Sequence, residues 1–464
     1  FSIETLIGGT GTDTVTLTAG STITAVGVET LIGNGANSVV TLTDSDTSVW
    51  VQGIETVYKP NGTEVLSGTD LTNGTWILIN NQIINLPSAD TVTDYRTVIG
   101  SGGPDVVSFT VGATMAVLAV ETLIGSGEID AVTTTGTNGS TMLVSGIESL
   151  NGGTGQDNIQ LDSIAGTMAV SLVETIIGGT ENDTVLLNAS GNTIMISMVE
   201  SLVGGSGKDV VTNFGGASSF AINAVETLIG GTGNQYVTST GTSGSTLLVE
   251  EVEILLGGTG IDDLSLSALG NTISVGGVET LRGGAGSDSV TLSNLGNTIT
   301  ISAIESLTGG LGLDQVILAT GGHTINLKNI ETLQGAAGTE VVTVAAGGST
   351  FAIALIETLT GSNAIEVVTS TGTGGVTLAV SAIDTLIGDS GTDIVTLDGN
   401  TGQTITVALL ETLTAGSGQD VVRFADGLNT TMLAIGVETL IGGTGADNVV
   451  LTTSGTTTVV SLIE

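Results

Sequence analysis

The sequence predicts an all-β fold, a parallel β-solenoid of the β-helix or β-roll kind. Two observations predict it. A motif returns along the whole chain at a spacing of 25 to 27 residues, and each regular period holds three short runs of alternating apolar and polar residues. A fixed period in this range is typical of solenoids, in which each repeat stacks on its neighbours. We expect about 17 coils of about 26 residues, with three short strands per coil, in one domain over residues 1–464.

The repeat that begins at Glu279 illustrates the three strands. Thr280-Leu281, Val290-Thr291-Leu292 and Ile299-Thr300-Ile301 alternate with period two and are rich in β-branched residues, which indicates strands. The intervening Gly-Gly, Asn-Leu-Gly-Asn and Ser-Ala sequences leave no room for a helix of ten residues. We expect right-handed coils. Their internal stacks should be formed by the equivalents of Leu281, Val290, Leu292, Ile299 and Ile301.

Two columns of acidic residues run through the repeats. The first column begins each repeat and is acidic in seventeen of eighteen places, and the second lies nine residues later and is acidic in fifteen of seventeen. Apolar residues stand one before and two after the first acid, and both cannot point inward along one straight strand. We therefore expect the chain to bend at this acid. The first column holds Glu4, Glu29, Glu55, Arg96, Glu121, Glu148, Glu174, Glu200, Glu226, Glu253, Glu279, Glu305, Glu331, Glu357, Asp384, Glu411, Glu438 and Glu464.

Charge and composition exclude several classes of partner. The formal net charge of -40, from 46 acidic and six basic residues, argues against nucleic acid and anionic membranes, which need a cationic surface. The absence of cysteine excludes a disulfide scaffold and thiolate metal sites. No apolar run approaches the roughly 18 residues that span a bilayer. Cations are the expected counterpart, and because Phe1 is not an initiator Met, we expect the gene product to begin earlier.

The acidic columns present an electrostatic problem. Stacked coils would place like residues about 4.8 Å apart. Two unit charges at that distance repel by about 0.9 kcal/mol in water and by about 3.5 kcal/mol at an effective dielectric constant of 20. Summed along a column, this is comparable with the ~5–15 kcal/mol by which a protein is typically stable. The columns must therefore be neutralised, hydrogen-bonded or partly protonated.

A glycine loop precedes the second acid of most repeats. The stretch from Gly283 to Val290 fits the pattern G-G-x-G-x-D-x-U, in which U is a large apolar residue, and six other stretches fit it in the same register. This pattern resembles the glycine-rich calcium-binding repeat of the RTX (hemolysin-type) family. The other matches run from Gly8 to Val15, Gly152 to Ile159, Gly204 to Val211, Gly257 to Leu264, Gly309 to Val316 and Gly442 to Val449.

The resemblance implies Ca²⁺ between successive glycine loops, bound by Asp carboxylates and backbone carbonyls. RTX motifs follow one another every nine residues, whereas seventeen residues of other structure follow each loop here, so only one face would carry a calcium column. The alternative is an Asp ladder that accepts N–H bonds from the loops. For the Glu column, N–H acceptance at the bend is favoured over a cation. The implied metal ligands are Asp13, Asp105, Asp130, Asp157, Asp183, Asp209, Asp262, Asp288, Asp314, Asp393, Asp420 and Asp447.

One stretch departs from the period. The interval from Glu55 to Arg96 is 41 residues long, and we expect an irregular insertion within residues 56–95, a loop or hairpin excursion. The stretch and its flank are rich in aromatic residues, which are typical of interface hot spots. A tolerated surface insertion is the alternative. The candidate partner contacts are Trp50, Tyr58, Trp76 and Tyr95.

These features favour an extracellular structural protein, a calcium-stabilised solenoid that forms a filament, surface layer, matrix or stalk. The RTX resemblance implies the surface of a Gram-negative bacterium. The chain opens Phe1-Ser2-Ile3-Glu4 and closes Ser461-Leu462-Ile463-Glu464, at the same point of the repeat and without a polar cap. From this we expect head-to-tail self-association into a filament, or else an excerpt from a longer array.

Two other functions are open. In a carbohydrate-binding adhesin, the aromatic residues of the insertion would stack on glycans of a cell surface. A polysaccharide-acting β-helix enzyme is less favoured, because the one break in the repeat is rich in aromatics and Asn rather than in clustered acids, His, Lys or Arg. His323, the single histidine, is expected to be a surface turn residue.

Overall fold

The computed structural model describes the chain except for residues 1–3, 19, 34–37, 44–48, 53–55, 61–65, 68–74, 80–82, 87–95, 101–103, 110–111, 113, 243, 453–456 and 464. Within residues 44–97, only the strands are described, without their side chains. All regular structure in the described part is β-strand. The chain divides into two units, residues 1–234 and 235–464. Each unit is a parallel β-solenoid, as the sequence predicts.

The first unit holds short strands of two to six residues. They are β1 (Thr5–Ile7), β2 (Thr14–Thr16), β3 (Thr22–Val26), β4 (Thr30–Ile32), β5 (Val39–Leu42), β6 (Val49–Gln52), β7 (Thr56–Pro60), β8 (Leu66–Ser67), β9 (Thr75–Ile79), β10 (Ile83–Leu86), β11 (Arg96–Ile99), β12 (Val106–Phe109), β13 (Thr114–Leu118), β14 (Thr122–Ile124), β15 (Ala131–Thr134), β16 (Thr141–Ser145), β17 (Ser149–Asn151), β18 (Asn158–Leu161), β19 (Thr167–Ser171), β20 (Thr175–Ile177), β21 (Thr184–Leu187), β22 (Thr193–Ser197), β23 (Ser201–Val203), β24 (Val210–Asn213), β25 (Ser218–Asn223) and β26 (Thr227–Ile229).

The second unit repeats the same order of short strands. They are β27 (Gln235–Ser239), β28 (Thr246–Glu250), β29 (Ile254–Leu256), β30 (Asp263–Leu266), β31 (Thr272–Gly276), β32 (Thr280–Arg282), β33 (Ser289–Leu292), β34 (Thr298–Ser302), β35 (Ser306–Thr308), β36 (Gln315–Leu318), β37 (His323–Lys328), β38 (Thr332–Gln334), β39 (Glu340–Val344), β40 (Ser349–Ala354), β41 (Thr358–Thr360), β42 (Glu366–Ser370), β43 (Thr377–Ser381), β44 (Thr385–Ile387), β45 (Ile394–Leu397), β46 (Thr404–Ala408), β47 (Thr412–Thr414), β48 (Val421–Phe424), β49 (Thr431–Ile435), β50 (Thr439–Ile441), β51 (Asn448–Thr452) and β52 (Val459–Ser461).

The predicted coil length is wrong. Each repeat does contain three strands, but a turn of the solenoid closes after two, one in each of two parallel ladders. In the repeat that begins at Glu174, β20 pairs with β22 of the same repeat, while β21 lies in the other ladder. A 26-residue repeat is therefore one and a half turns. Successive repeats begin in opposite ladders, and the turns outnumber the predicted 17.

Three strand types and three connections recur, and the repeat that begins at Glu279 defines their names. Strand a is β32, strand b is β33 and strand c is β34. Residues 283–288 form the glycine loop between a and b. Residues 293–297 form the bc turn, and residues 303–305 form the ca bend that leads to the next strand a.

Different connections lie above one another at each edge of a unit. Because a turn contains two strands, a bc turn is followed one turn later by a glycine loop and then by a ca bend. Residues 192, 209 and 226 illustrate this order, since the Asn192 amide donates to Asp209 and the Asp209 amide donates to Glu226. Like connections therefore recur only every third turn, about 14 Å apart at the usual strand spacing.

The core consists of the predicted apolar stacks. Leu281, at the middle of strand a, is fully buried and pairs with Leu264 in the turn below and Ile301 in the turn above. Burial of each such side chain contributes about 1.5–3 kcal/mol. All the inward residues predicted for this repeat are at most 2% exposed, namely Leu281, Val290, Leu292, Ile299 and Ile301.

The predicted bend at the Glu column is confirmed, and its backbone is unusual. Ala303, two residues before Glu305, has φ of 51°. A residue other than glycine costs on the order of 1 kcal/mol or more in this left-handed region. Gly277 serves at the equivalent place one repeat earlier with φ of 64°. The bend turns the chain while Val278, just before Glu279, stays in the core at 3% exposure.

The insertion adds a strand to the ladders and is not a hairpin in its described part. Four strands, β7 to β10, occupy the interval that normally holds three. β9 pairs in parallel with β7 and β11, and β10 pairs in parallel with β8 and β12. The expected excursion is thus wrong for these strands, because they continue the parallel stacking.

We expect Leu281→Ala to lower the free energy of unfolding by about 2–5 kcal/mol, because it removes buried contacts to the turns below and above. Chemical unfolding followed by circular dichroism measures the change. Leu311→Ala is the matched control, since Leu311 is 88% exposed in a glycine loop and should change stability by less than about 0.5 kcal/mol. Equal losses in the two variants would contradict the stacked core.

Candidate functional site

The Asp of each glycine loop accepts hydrogen bonds from two layers of backbone. Asp288 is 1% exposed. Its Oδ2 accepts from the Gly284 amide at 2.9 Å, within its own loop. Its Oδ1 accepts from the amide of Asn271, one turn below, at 2.9 Å and from the Asn271 side-chain Nδ2 at 2.7 Å. The carboxylate thus joins two successive turns.

Most predicted metal ligands are held in the same way. Asp130 accepts from the Ser126 amide at 2.6 Å through Oδ2, Asp13 accepts from the Gly9 amide, and Asp105 is fully buried. Both carboxylate oxygens accept backbone N–H bonds, one within the loop and one from the turn below, in Asp157, Asp209, Asp262, Asp288, Asp314, Asp393, Asp420 and Asp447.

The Glu column lies one turn above the Asp column. The Asp288 amide donates to Oε2 of Glu305 at 2.7 Å. The same bond, at 2.7–2.9 Å, recurs in every repeat from the Asp105–Glu121 pair to the Asp420–Glu438 pair, and it also joins the Asp13 amide to Glu29. Acceptance of N–H groups by the Glu is therefore confirmed, although the donor belongs to the neighbouring turn.

In the doubly bonded Asp residues, both carboxylate oxygens are occupied by N–H donors. The RTX resemblance assigns their carboxylate oxygens to Ca²⁺, but these oxygens face N–H groups, whose positive ends would repel a metal ion. In the part of the chain that the structure describes, no three His, Asp or Glu side chains are grouped closely enough to hold a metal. Calcium binding by the Asp column stays a prediction, and the N–H ladder explains how these carboxylates are held without a cation.

Close contact between backbones explains the glycines of the loop. A Cβ on Gly283 would lie 1.7 Å from the Ala303 carbonyl oxygen, in the ca bend above. A Cβ on Gly284 would lie 1.9 Å from the Ser267 carbonyl oxygen, in the bc turn below. Real side chains cannot approach a backbone atom so closely. The glycine pattern is thus required by stacking between unlike connections, a cause that spacing alone did not reveal.

Asp183 differs from the other buried Asp residues. Its Oδ2 accepts from the Gly179 amide at 2.7 Å, but its Oδ1 has no hydrogen-bond partner, although the residue is only 1% exposed. Burial raises the pKa of Asp183, and the carboxylates of Glu200 and Asp162 add to the rise. The Gly179 and Gly166 amides oppose this rise in the pKa, but the Gly166 N–H does not reach hydrogen-bonding geometry with Oδ1.

Two repeats in the described part, those of Glu340 and Glu366, carry Glu in place of Asp in the second column. Glu340 is fully buried, and neither of its carboxylate oxygens has a donor in hydrogen-bonding geometry, although the nearby Ala336 amide opposes the rise in its pKa. His323 is its paired residue in the turn below, and the Glu340 amide donates to Glu357 in the turn above at 2.8 Å. Burial, followed by contact with the Glu357 carboxylate, raises the pKa of Glu340 to about 7. A protonated Glu340 can itself donate to Glu357. Glu366 likewise has one orphaned buried oxygen.

The remaining candidate residues do not form a site in the described part. His323 was expected to be a surface turn residue, but it is the half-buried first residue of β37, directly after a bc turn, and its Nε2 contacts the Ala319 carbonyl oxygen at 2.6 Å. Arg282 forms an ion pair with Asp263. Trp50, Tyr58 and Trp76 lie in β6, β7 and β9, whose side chains are outside the described part, and Tyr95 is outside it altogether. Their partner contacts stay a prediction.

Comparison with protein-family models, curated proteins and solved structures finds no match. Within the described residues, no helix has the length and apolarity needed to cross a membrane. The inference of a function therefore rests on the geometry of the turns.

We expect Asp288→Ala to destabilise the fold by about 2–5 kcal/mol, because it leaves the buried amides of Gly284 and Asn271 without an acceptor. Thermal unfolding should be measured with calcium and with excess EDTA. The loss should be the same in both, since these bonds need no cation. The control is Asp426→Ala, at an exposed bc turn, with an expected change within about 0.5 kcal/mol. A loss that disappears in EDTA would support the calcium column instead.

The pKa of Glu340 predicts how stability changes with pH. In the folded state the Glu340 carboxyl keeps its proton up to about pH 7, whereas in the unfolded chain it loses the proton near its ordinary pKa of 4.5. The protonated Glu340 therefore contributes to the free energy of unfolding below pH 4.5, and this contribution is lost as the pH rises through about 7. Glu340→Gln removes this titration and should be more stable than the wild type at pH 8, by up to about 3 kcal/mol. Unfolding from pH 4 to 8 measures it; parallel curves for the two proteins would contradict the assignment.

Proposed function

We propose that the chain is an extracellular structural protein, a β-solenoid that contributes to a filament, surface layer, matrix or stalk. One observation supports this most directly: in the described repeats, most acids of the two columns accept hydrogen bonds from the backbone of a neighbouring turn, as Asp288 and Glu305 do. The most regular polar residues of the sequence thus serve the stacking of turns. A chain in which the repeated residues maintain the stack is suited to a structural role.

The net charge of -40 supports a place outside the cell. A polyanionic surface with few bases attracts cations and stays soluble and well hydrated. The absence of cysteine means that stability comes from stacking and hydrogen bonds without disulfides. Calcium stabilisation belongs to this proposal through Asp183, whose carboxylate keeps an orphaned oxygen, and the doubly bonded Asp residues contribute through backbone bonds.

Self-association into a filament is the second part of the proposal. A ladder of parallel strands can be extended at its last strand by a further turn, supplied by more chain or by another copy. In β52, Val459 and Val460 are 60% and 45% exposed, and a further turn would cover them. Such a heterologous contact, repeated without closing into a ring, produces an open fibre.

We expect the purified chain to form linear assemblies that lengthen with concentration, measured by light scattering and negative-stain electron microscopy. Val460→Asp should weaken assembly, because it places a charge on the exposed strand. Thr291→Asp is the control, since it adds the same charge to an exposed position in the interior of the second unit's ladder. A chain that stays monomeric at high concentration, with and without calcium, would refute the filament, and equal assembly of both variants would refute contact through β52.

A further inference from the structure

Four described bc turns have five residues, and three of them end in Asn. In the turn 188–192, the side-chain Nδ2 of Asn192 donates to the carbonyl oxygens of Asn188 and Ser190 at 3.4 and 2.6 Å, and to Asp209 Oδ1 at 2.7 Å. Asn271 and Asn297 repeat this arrangement with their own turn carbonyls and with Asp288 and Asp314. An amide nitrogen with three oxygen acceptors therefore fills each of these corners.

The fourth turn, 162–166, ends in Gly166 and lacks that amide. Its backbone is arranged like the others, because Asp162 Oδ1 accepts from the Ile164 amide at 2.9 Å, as Asn188 Oδ1 accepts from the Ser190 amide at 2.9 Å. The glycine loop above it places Asp183 where Asp209 stands over Asn192. The acceptors are kept and the donor is missing.

A cavity lies at this turn, and one carboxylate oxygen beside it is orphaned, because Gly166 supplies neither a side-chain amide nor a backbone N–H in hydrogen-bonding geometry. The cavity has a volume of about 260 Å³, and Gly166, Asp162, Ile164, Glu148 and Asp183 are among its lining residues. Asp183 is 1% exposed, and its Oδ1 has no hydrogen-bond partner. In the three Asn turns, the corresponding Oδ1 accepts from the Asn side chain. A buried carboxylate oxygen without a donor is costly unless a cation or a donor is supplied.

We propose that this cavity is a cation site in which a metal ion takes the place of the missing Asn amide. The ligands are Oδ1 of Asp183 and the carbonyl oxygens of Asp162 and Ile164, which match the acceptors of the Asn turns. Asp162 and Glu148 also line the cavity and add negative charge near it, although Glu148 Oε2 accepts from the Asp130 amide and Asp162 Oδ1 from the Ile164 amide.

Oxygen-only ligands with several places for water suit Ca²⁺ better than Mg²⁺, which demands a tighter octahedral shell. The described side chains do not form a three-carboxylate cage, so carbonyls and water complete the shell. The site lies at a bc turn and uses an oxygen that the N–H ladder leaves free. It deepens the calcium part of the proposed function, on which it rests, at one member of the predicted Asp column, and it does not depend on the filament.

The full chain and CaCl₂ alone test the site by calorimetry and by the melting temperature. Gly166→Asn supplies the missing amide, and its Cβ would meet only the Ile164 carbonyl oxygen, at 3.9 Å, so the side chain has room. We expect the wild type to bind Ca²⁺ and to melt higher with it than in excess EDTA. The Gly166→Asn variant should melt higher than the wild type in EDTA and should lose the calcium response of this site.

Two further variants distinguish the missing amide from a general effect at residue 166. Gly166→Ala adds a Cβ without a donor and should keep the calcium response. Asn192→Gly reproduces the Gly166 turn below Asp209 and should create a second site, so that the bound calcium per chain rises by one and its lowered melting temperature recovers with Ca²⁺. Recovery by Na⁺ alone would refute the divalent assignment.

The outcomes separate this site from the calcium column. No calcium binding by the wild type would overturn both and leave a water-filled cavity. Unchanged calcium stabilisation in Gly166→Asn would overturn the site at Asp183 and would support binding by the glycine loops. Loss of the response in Gly166→Asn, with retention in Gly166→Ala, is the result expected of the proposed site.

Discussion

In the described turns, the backbones of unlike connections approach one another closely, and this close packing determines which residues stand in the loops and bends. A glycine loop lies between a bc turn below and a ca bend above, and a Cβ at Gly283 or Gly284 would overlap a carbonyl oxygen of one or the other. Backbones this close bury their amides, and buried amides need acceptors. Asp288 supplies an acceptor to the loop and to the turn below, and Glu305 supplies one to the Asp288 amide. The glycines and both acidic columns thus follow from one packing arrangement.

The same arrangement changes the electrostatic problem of a chain with 46 acidic residues. Like carboxylates at an edge are three turns apart, and two charges about 14 Å apart repel about a third as strongly as at 4.8 Å. The acids occur as Asp–Glu pairs in adjacent turns, followed by a turn whose polar groups donate. Within a pair, backbone N–H groups contact both carboxylates and replace the water that burial removes. Where a carboxylate oxygen lacks a donor, as at Asp183 Oδ1 and at Glu340, burial raises the pKa of the group.

The strands and the core could be predicted from the sequence, but the number of strands in one turn of the solenoid could not. Alternation fixes which residues face inward, and Leu281, Val290 and Ile299 are buried whichever strands are neighbours. The spacing of the motif suggested that one repeat equals one coil. A repeat of the sequence has three strands, whereas a turn of the solenoid has two, so the sequence period and the structural turn differ in length. Residues that occupy the same place in successive repeats therefore do not lie directly above one another in space.

The partners of the candidate site residues were harder to predict for the same reason. The Asp ladder was considered as an alternative to calcium, yet its second donor comes from a bc turn seventeen residues earlier, as Asn271 shows for Asp288. Only the correct turn length brings these residues together. The Glu column was expected to accept N–H groups, but the turn length decides that the donor is the amide of the Asp. A pattern at seventeen residues, Asn to Asp to Glu, was the available signal.

Because a solenoid turn is shorter than the sequence repeat, the stacking register of the turns is also specified. If every turn were alike, a ladder could slip by one whole turn and bury the same residues. Here a slip by one turn would place a glycine loop against a connection of the wrong kind. The Asp183 loop, for example, would no longer lie between the Gly166 turn and the bend at Met198. Side chains would then overlap the carbonyls that Gly178 and Gly179 now approach, and the Asp and Glu would lose their amide donors. Only a slip of three turns restores all contacts, so the unequal periods make the register far more specific than a simple repeat would.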